Sequence, residues 1–182
     1  MLDVAHVDRA VYLGDDGALD AAVTNWAERL VGPDPSDDGA FRRAAALALG
    51  GASADIDRFI AAERARLRLR NLESLPRGGA RTIEMIGDRV AVLIYDKAQL
   101  DEEDIMSASI LVYGKSPEPL VKKIGARWFV SPGMMGCPGG GLGVIEDVDE
   151  QVTLEIYDDT GKRRITESLD TQRKTTTRVQ GG

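Results

Sequence analysis

The sequence predicts a mixed fold, α/β of the α+β kind, on three observations. Between Ala18 and Leu72 apolar residues recur at helical spacing. After Pro76-Arg77-Gly78-Gly79 the pattern changes to short runs of strand character. Gly, Pro, Asp and Lys turns separate those runs.

Taken in order, residues 8 to 13 form a short strand ending at Gly14-Asp15-Asp16. From Ala18 to Val31, Leu19, Ala22, Val23, Trp26, Ala27 and Leu30 make one apolar helix face, which Gly32-Pro33 stops. A second helix follows Pro35-Ser36, with Ser36 as N-cap and Phe41, Ala44, Ala45, Leu47 and Ala48 as its apolar side, before Gly50-Gly51 ends it. A third runs from about Ser53 to Leu72, its apolar positions being Ile56, Phe59, Ile60, Ala62 and Leu67. The basic run from Arg64 to Arg70 lies beside Asp55, Asp57 and Glu63, and so reads as a solvated, ion-paired face rather than a phosphate site.

Strands are expected at 81–86, 89–95, 109–113, 120–124, 127–130, 142–148 and 151–157. An acidic segment from Gln99 to Met106 interrupts them, and Asp101-Glu102-Glu103-Asp104 suits a helix start. Hairpin turns at Glu150-Gln151 and Thr160-Gly161-Lys162 suggest a meander with one buried face. Adjacent Trp128 and Phe129 must point to opposite faces of their strand. The organisation expected is a single domain over 1–170 with a flexible polar tail, 171–182, in which Thr175 to Val179 could add an edge strand.

At 182 residues and 43% hydrophobic content the chain has material for one adequate core. A net charge of -7, from 30 acidic and 23 basic residues, argues against general nucleic-acid binding, which depends on neutralising phosphates. No signal peptide or membrane-spanning run is expected, and the lone Cys137 suits a reducing cytoplasm.

Several turns fall in a recognisable order: Leu13-Gly14-Asp15 after the early strand, Leu75-Pro76 before paired strands, Tyr113-Gly114 closing a later strand, and Val130-Ser131-Pro132-Gly133 before Gly140-Gly141-Leu142-Gly143-Val144-Ile145. This order resembles the calcineurin-like metallophosphoesterases, in particular the small bacterial phosphodiesterases. The resemblance implies a β-sandwich flanked by helices, here without the family's first strand-helix unit. It also implies two metal ions activating a water for attack on a phosphoester.

The ligands that the resemblance calls for are mostly replaced. The one histidine, His6, stands at none of the family's histidine positions. Lys115, Ser116 and Pro117 occupy the place of a His-Thr-His loop after Gly114, and Tyr95-Asp96 the place of a His-Gly. A lysine ammonium has no lone pair to give a metal, and proline has no ligating side chain. Asp15 is the one retained ligand, and with Asp16 and Asp96 it could form only a weak site for magnesium or manganese.

The expected role is therefore a noncatalytic phosphoesterase-like scaffold or regulatory protein-interaction module, with no catalytic residue and no cofactor. Its contact surface is Tyr95, Asp96, Lys115, Ser116 and Glu118. The alternative is a divergent metal-dependent phosphodiesterase or phosphatase using Asp15, Asp16 and Asp96. In a third version Lys115 supplies the charge that holds a phosphate-bearing ligand without turnover.

Other motifs carry less. Gly114-Lys115-Ser116 imitates the end of a phosphate-binding P-loop, but Ser109 stands where its first glycine belongs. Cys137 has no histidine following it as base, and Gly139-Gly140-Gly141 reads as a turn. The missing first strand would leave a sheet edge open, so a partner protein or self-association is expected, a homodimer first, without nucleic acid or membrane.

Overall fold

The computed structural model describes residues 7–149 and 151–169, which fall into two compact units divided between Arg81 and Thr82. His6 and the Thr175 to Val179 segment lie outside the described residues.

The first unit contains β1 (Ala10–Tyr12), α1 (Ala18–Val31), α2 (Asp37–Ala48), α3 (Ser53–Arg68), a 3-10 turn (Leu69–Asn71) and β2 (Leu72–Ser74). Ser36 caps α2 as expected, its Oγ accepting the Gly39 N–H at 3.0 Å. Both Gly50 and Gly51 donate to the Leu47 carbonyl where the helix ends. β1 and β2 pair in parallel, Val11 opposite Glu73. β2 was not expected, because three residues with a glutamate in the middle carry no alternation to read.

Two expectations for these helices are corrected. The Arg64 to Arg70 run is not wholly a solvated face. Arg66 is only 8% exposed, with Nε 2.6 Å from Glu63, Nη2 3.0 Å from Asp37 and Nη1 2.8 Å from the Pro35 carbonyl. Arg43 reaches the same Glu63 carboxylate and the Asp34 carbonyl. Charged hydrogen bonds tie the first turn of α2 to α3, and the sequence pattern cannot say which arginine turns inward. The apolar faces are also less covered than expected: Phe41, Ile56, Ile60 and Leu67 are exposed, and Ala27 and Leu75 are the buried apolar residues among those described in this unit.

The second unit contains β3 (Thr82–Ile86), β4 (Arg89–Ile94), a 3-10 turn (Lys97–Gln99), α4 (Glu102–Ser107), β5 (Ile110–Tyr113), β6 (Leu120–Ile124), β7 (Arg127–Ser131), β8 (Gly141–Val148), β9 (Gln151–Asp158) and β10 (Arg163–Ser168). One sheet has the order β3-β4-β5-β7-β6, the other β10-β9-β8. The meander expectation holds for the three-stranded sheet, which is antiparallel throughout, and fails for the larger one. There β5 lies parallel to both β4 and β7. The stretch 95–109 makes this possible, since a parallel crossover needs a dozen or more residues.

The acidic segment is the helix start expected of it: Asp104 N–H donates to Asp101 at 2.8 Å and Asp101 N–H to Asp104 at 3.0 Å, a capping box. Val92, Leu111 and Phe129 stand opposite one another across β4, β5 and β7, and Leu100 and Ala108 pack on them. On the other face Ala91, Ile110, Val112 and Val130 are buried, as are Val152, Leu154 and Ile156 of β9. Each sheet thus buries an apolar row, and a backbone hydrogen bond from the Gly141 N–H to the Pro132 carbonyl ties the start of β8 to the turn after β7. Trp128 points away from Phe129, with Lys123 Nζ 5.3 Å from its ring centroid.

Candidate contact site

The site forms at the carboxyl ends of β4 and β5, where Ile94 and Tyr113 are neighbours in the parallel ladder. The chain beyond each strand continues the pairing: the Gly114 N–H is 3.1 Å from both the Ile94 and Tyr95 carbonyls, and the Lys115 N–H donates to Tyr95 at 2.7 Å. This brings Tyr95, Asp96 and Lys115 together. Lys115 Nζ lies 2.6 Å from Asp96 Oδ2 and 5.9 Å from the Tyr95 ring centroid.

Asp96 has a second task. Its Oδ1 accepts the Ala98 N–H at 3.0 Å and so caps the 3-10 turn. The Lys115 hydrogen bond, followed by that of Ala98, holds the Asp96 carboxyl below the usual aspartate range. Lys97 Nζ stands 5.2 Å from the Tyr113 ring centroid, and burial pushes the Tyr113 phenol up. Ser116 is spent within its own loop, its N–H donating to the Gly114 carbonyl and its Oγ to the Glu118 carbonyl at 2.7 Å. Glu118 is exposed.

A second wall comes from the turn after β7. Gly133 has φ +77°, and a Cβ there would lie 2.7 Å from Pro119 N and 2.9 Å from Glu118 C. Only glycine lets the turn approach the loop this closely. Met134 and Met135 follow it, both more than half exposed. In the glycine run, the Gly140 N–H bonds to the Cys137 carbonyl and the Gly141 N–H to Pro132, which leaves Gly139 as the one N–H of the three not used in the turn.

Asp15 and Asp16 belong to the first unit and are exposed. Asp16 accepts the Ala18 N–H at 2.9 Å and the Tyr12 hydroxyl at 3.1 Å, an Asx turn that opens α1 and lowers its pKa. Among the described residues no group of three or more His, Cys, Asp or Glu is placed to hold a metal ion. Nor is any helix among them long and apolar enough to cross a membrane.

The sequence places Gly133 in a turn without giving it a role at the site, and it does not single out Lys97 or the methionine pair. Lys97 was legible as the cation beside Asp96; the methionines carry no spacing signal in an irregular turn.

No family model matches the sequence, and no curated protein matches it. In structure the chain is similar, at low identity, to proteins of the phosphoesterase class. Wild-type Vps29 from Entamoeba histolytica, complexed with Zn2+, is 16% identical, with a TM-score of 0.43 over 59% of this chain and 76% of that one. A predicted phosphoesterase from Streptococcus pneumoniae is 14% identical, with a TM-score of 0.42 over 56% and 71%. YfcE, a phosphoesterase from E. coli, is 13% identical, with a TM-score of 0.40 over 57% and 58%. These are partial likenesses, and none speaks for an activity of this chain.

Proposed function

We propose that the chain is a noncatalytic, phosphoesterase-like scaffold or regulatory module that binds a protein partner through the Tyr95, Asp96, Lys115 and Glu118 rim. The observation that carries this reading is the Lys115–Asp96 ion pair. Lys115 brings a cation to the place where the resemblance calls for a metal ligand, and it occupies the carboxylate oxygen that a metal would need. The exposed Met134 and Met135, which follow the Gly133 turn packed on Glu118 and Pro119, add an adaptable apolar contact area. Self-association as a homodimer belongs to the same reading.

The alternative, a magnesium- or manganese-dependent phosphoester hydrolase using Asp15, Asp16 and Asp96, requires Asp96 to exchange Lys115 for a metal. The test is hydrolysis of a chromogenic phosphodiester with magnesium, manganese or zinc, together with elemental analysis of the purified protein. Turnover abolished by a chelator, with bound metal in stoichiometric amount, overturns the proposal. Absence of turnover with all three metals, and loss of partner binding in Lys115→Glu, supports it.

A further inference from the structure

The third helix carries an apolar stripe that remains open. Ile56, Ile60 and Leu67 are 42%, 40% and 44% exposed. At about 100° per residue they fall within an arc of roughly 40°, next to the inward-turned Phe59, Glu63 and Arg66. Asp57 on the N-terminal half and Arg64 and Arg68 on the C-terminal half flank the outer side of this stripe. None of these three has an ion-pair partner among the described residues, whereas Asp55 is taken by Arg58 and Glu63 by Arg43 and Arg66.

We infer that α3 is a self-association face on which a second copy of this chain docks antiparallel. The order of charges selects both occupant and direction. A stripe edged by acid at its start and base at its end complements itself when reversed, while parallel copies would oppose like charges. With a two-fold axis halfway between Ile56 and Leu67, Ile56 of one copy lies level with Leu67 of the other, and the two Ile60 side chains flank the axis. Asp57 then falls level with the interval between Arg64 and Arg68 of the second copy. The stripe is about 17 Å long, so the contact is smaller than the ~800 Å² per partner of a standard interface, and association is weak. This inference rests on the homodimer reading above and not on the loop of the second unit.

Sedimentation equilibrium on the full chain, from about 1 to about 500 μM, covers the range in which an interface of this size assembles. The expected result is a rise from 19.6 kDa towards twice that mass. Ile60→Asp and Asp57→Arg each weaken the dimer about tenfold or more at unchanged circular dichroism, since each leaves an unpaired or repelling charge in the contact. The triple variant Asp57→Arg, Arg64→Asp, Arg68→Asp restores it, because the charge order is reversed but still self-complementary. A monomer at every concentration overturns this face and the homodimer reading together. A dimer indifferent to Ile60→Asp and Asp57→Arg overturns the face alone, as does a dimer that the triple variant fails to restore.

Discussion

Lys115 and Asp96, 19 residues apart in sequence, meet at 2.6 Å because two parallel strands end side by side. Each side chain is placed by its own strand end, so the pair does not hold the fold. Lys115→Ala should leave the fold intact and lower Tm by no more than a few degrees, as expected for a pair with an exposed member. The carboxyl of Asp96 should then titrate closer to the ordinary aspartate value of about 3.9. Carboxyl carbon shifts followed by NMR across acid pH check both the shift and its cause.

Stability should decline in acid, with a definite sign. Asp96, held down first by Lys115, and Asp37, held down first by Arg70, both have folded values below their unfolded ones. Their contribution is complete above the unfolded value of about 3.9 and is lost as pH falls through the folded value. Urea midpoints should therefore change little between about pH 7 and 5 and drop below about pH 4, with a smaller drop in Lys115→Ala.

Arg66→Ala should destabilise the protein by about 2 kcal/mol, since it leaves Glu63 short of one partner and the Pro35 carbonyl without its donor. Arg58→Ala, which removes an exposed pair with Asp55, should stay within about 0.5 kcal/mol. Denaturant unfolding of both variants separates the buried network from the solvated one.

Gly133→Ala places a methyl against Pro119 N and Glu118 C at a φ of +77°. The expected cost is about 2 kcal/mol, with the 115–119 loop displaced. Hydrogen exchange should show faster loss at Lys115 and Ser116, whose N–H groups bond to the Tyr95 and Gly114 carbonyls. Unchanged protection at both would reject the view that this turn braces the loop.

Much of the local structure was legible because its signals are local. Ser36 as a cap, the glycines after α2, the acidic start of α4 and the opposed faces of Trp128 and Phe129 all follow from a few neighbouring residues. The resemblance alone groups Tyr95, Asp96 and Lys115, and in the structure Lys115 lies against both Asp96 and the Tyr95 ring. Ser116 belongs to the loop mainly as a brace. Asp16 serves a turn in the first unit, as a carboxylate after a strand commonly does.

By itself the sequence determined most of the helices and strands, though not β2 or the end of α3, and that the loop after Tyr113 carries Lys115. Tertiary structure alone decided that β5 runs parallel between β4 and β7, that Arg66 turns inward while Ile56, Ile60 and Leu67 stay open, and that Lys115 spends its charge on Asp96. Helix period, caps and turns depend on residues a few positions apart. Strand order and the partner of a long charged side chain depend on groups brought together only when the whole chain closes.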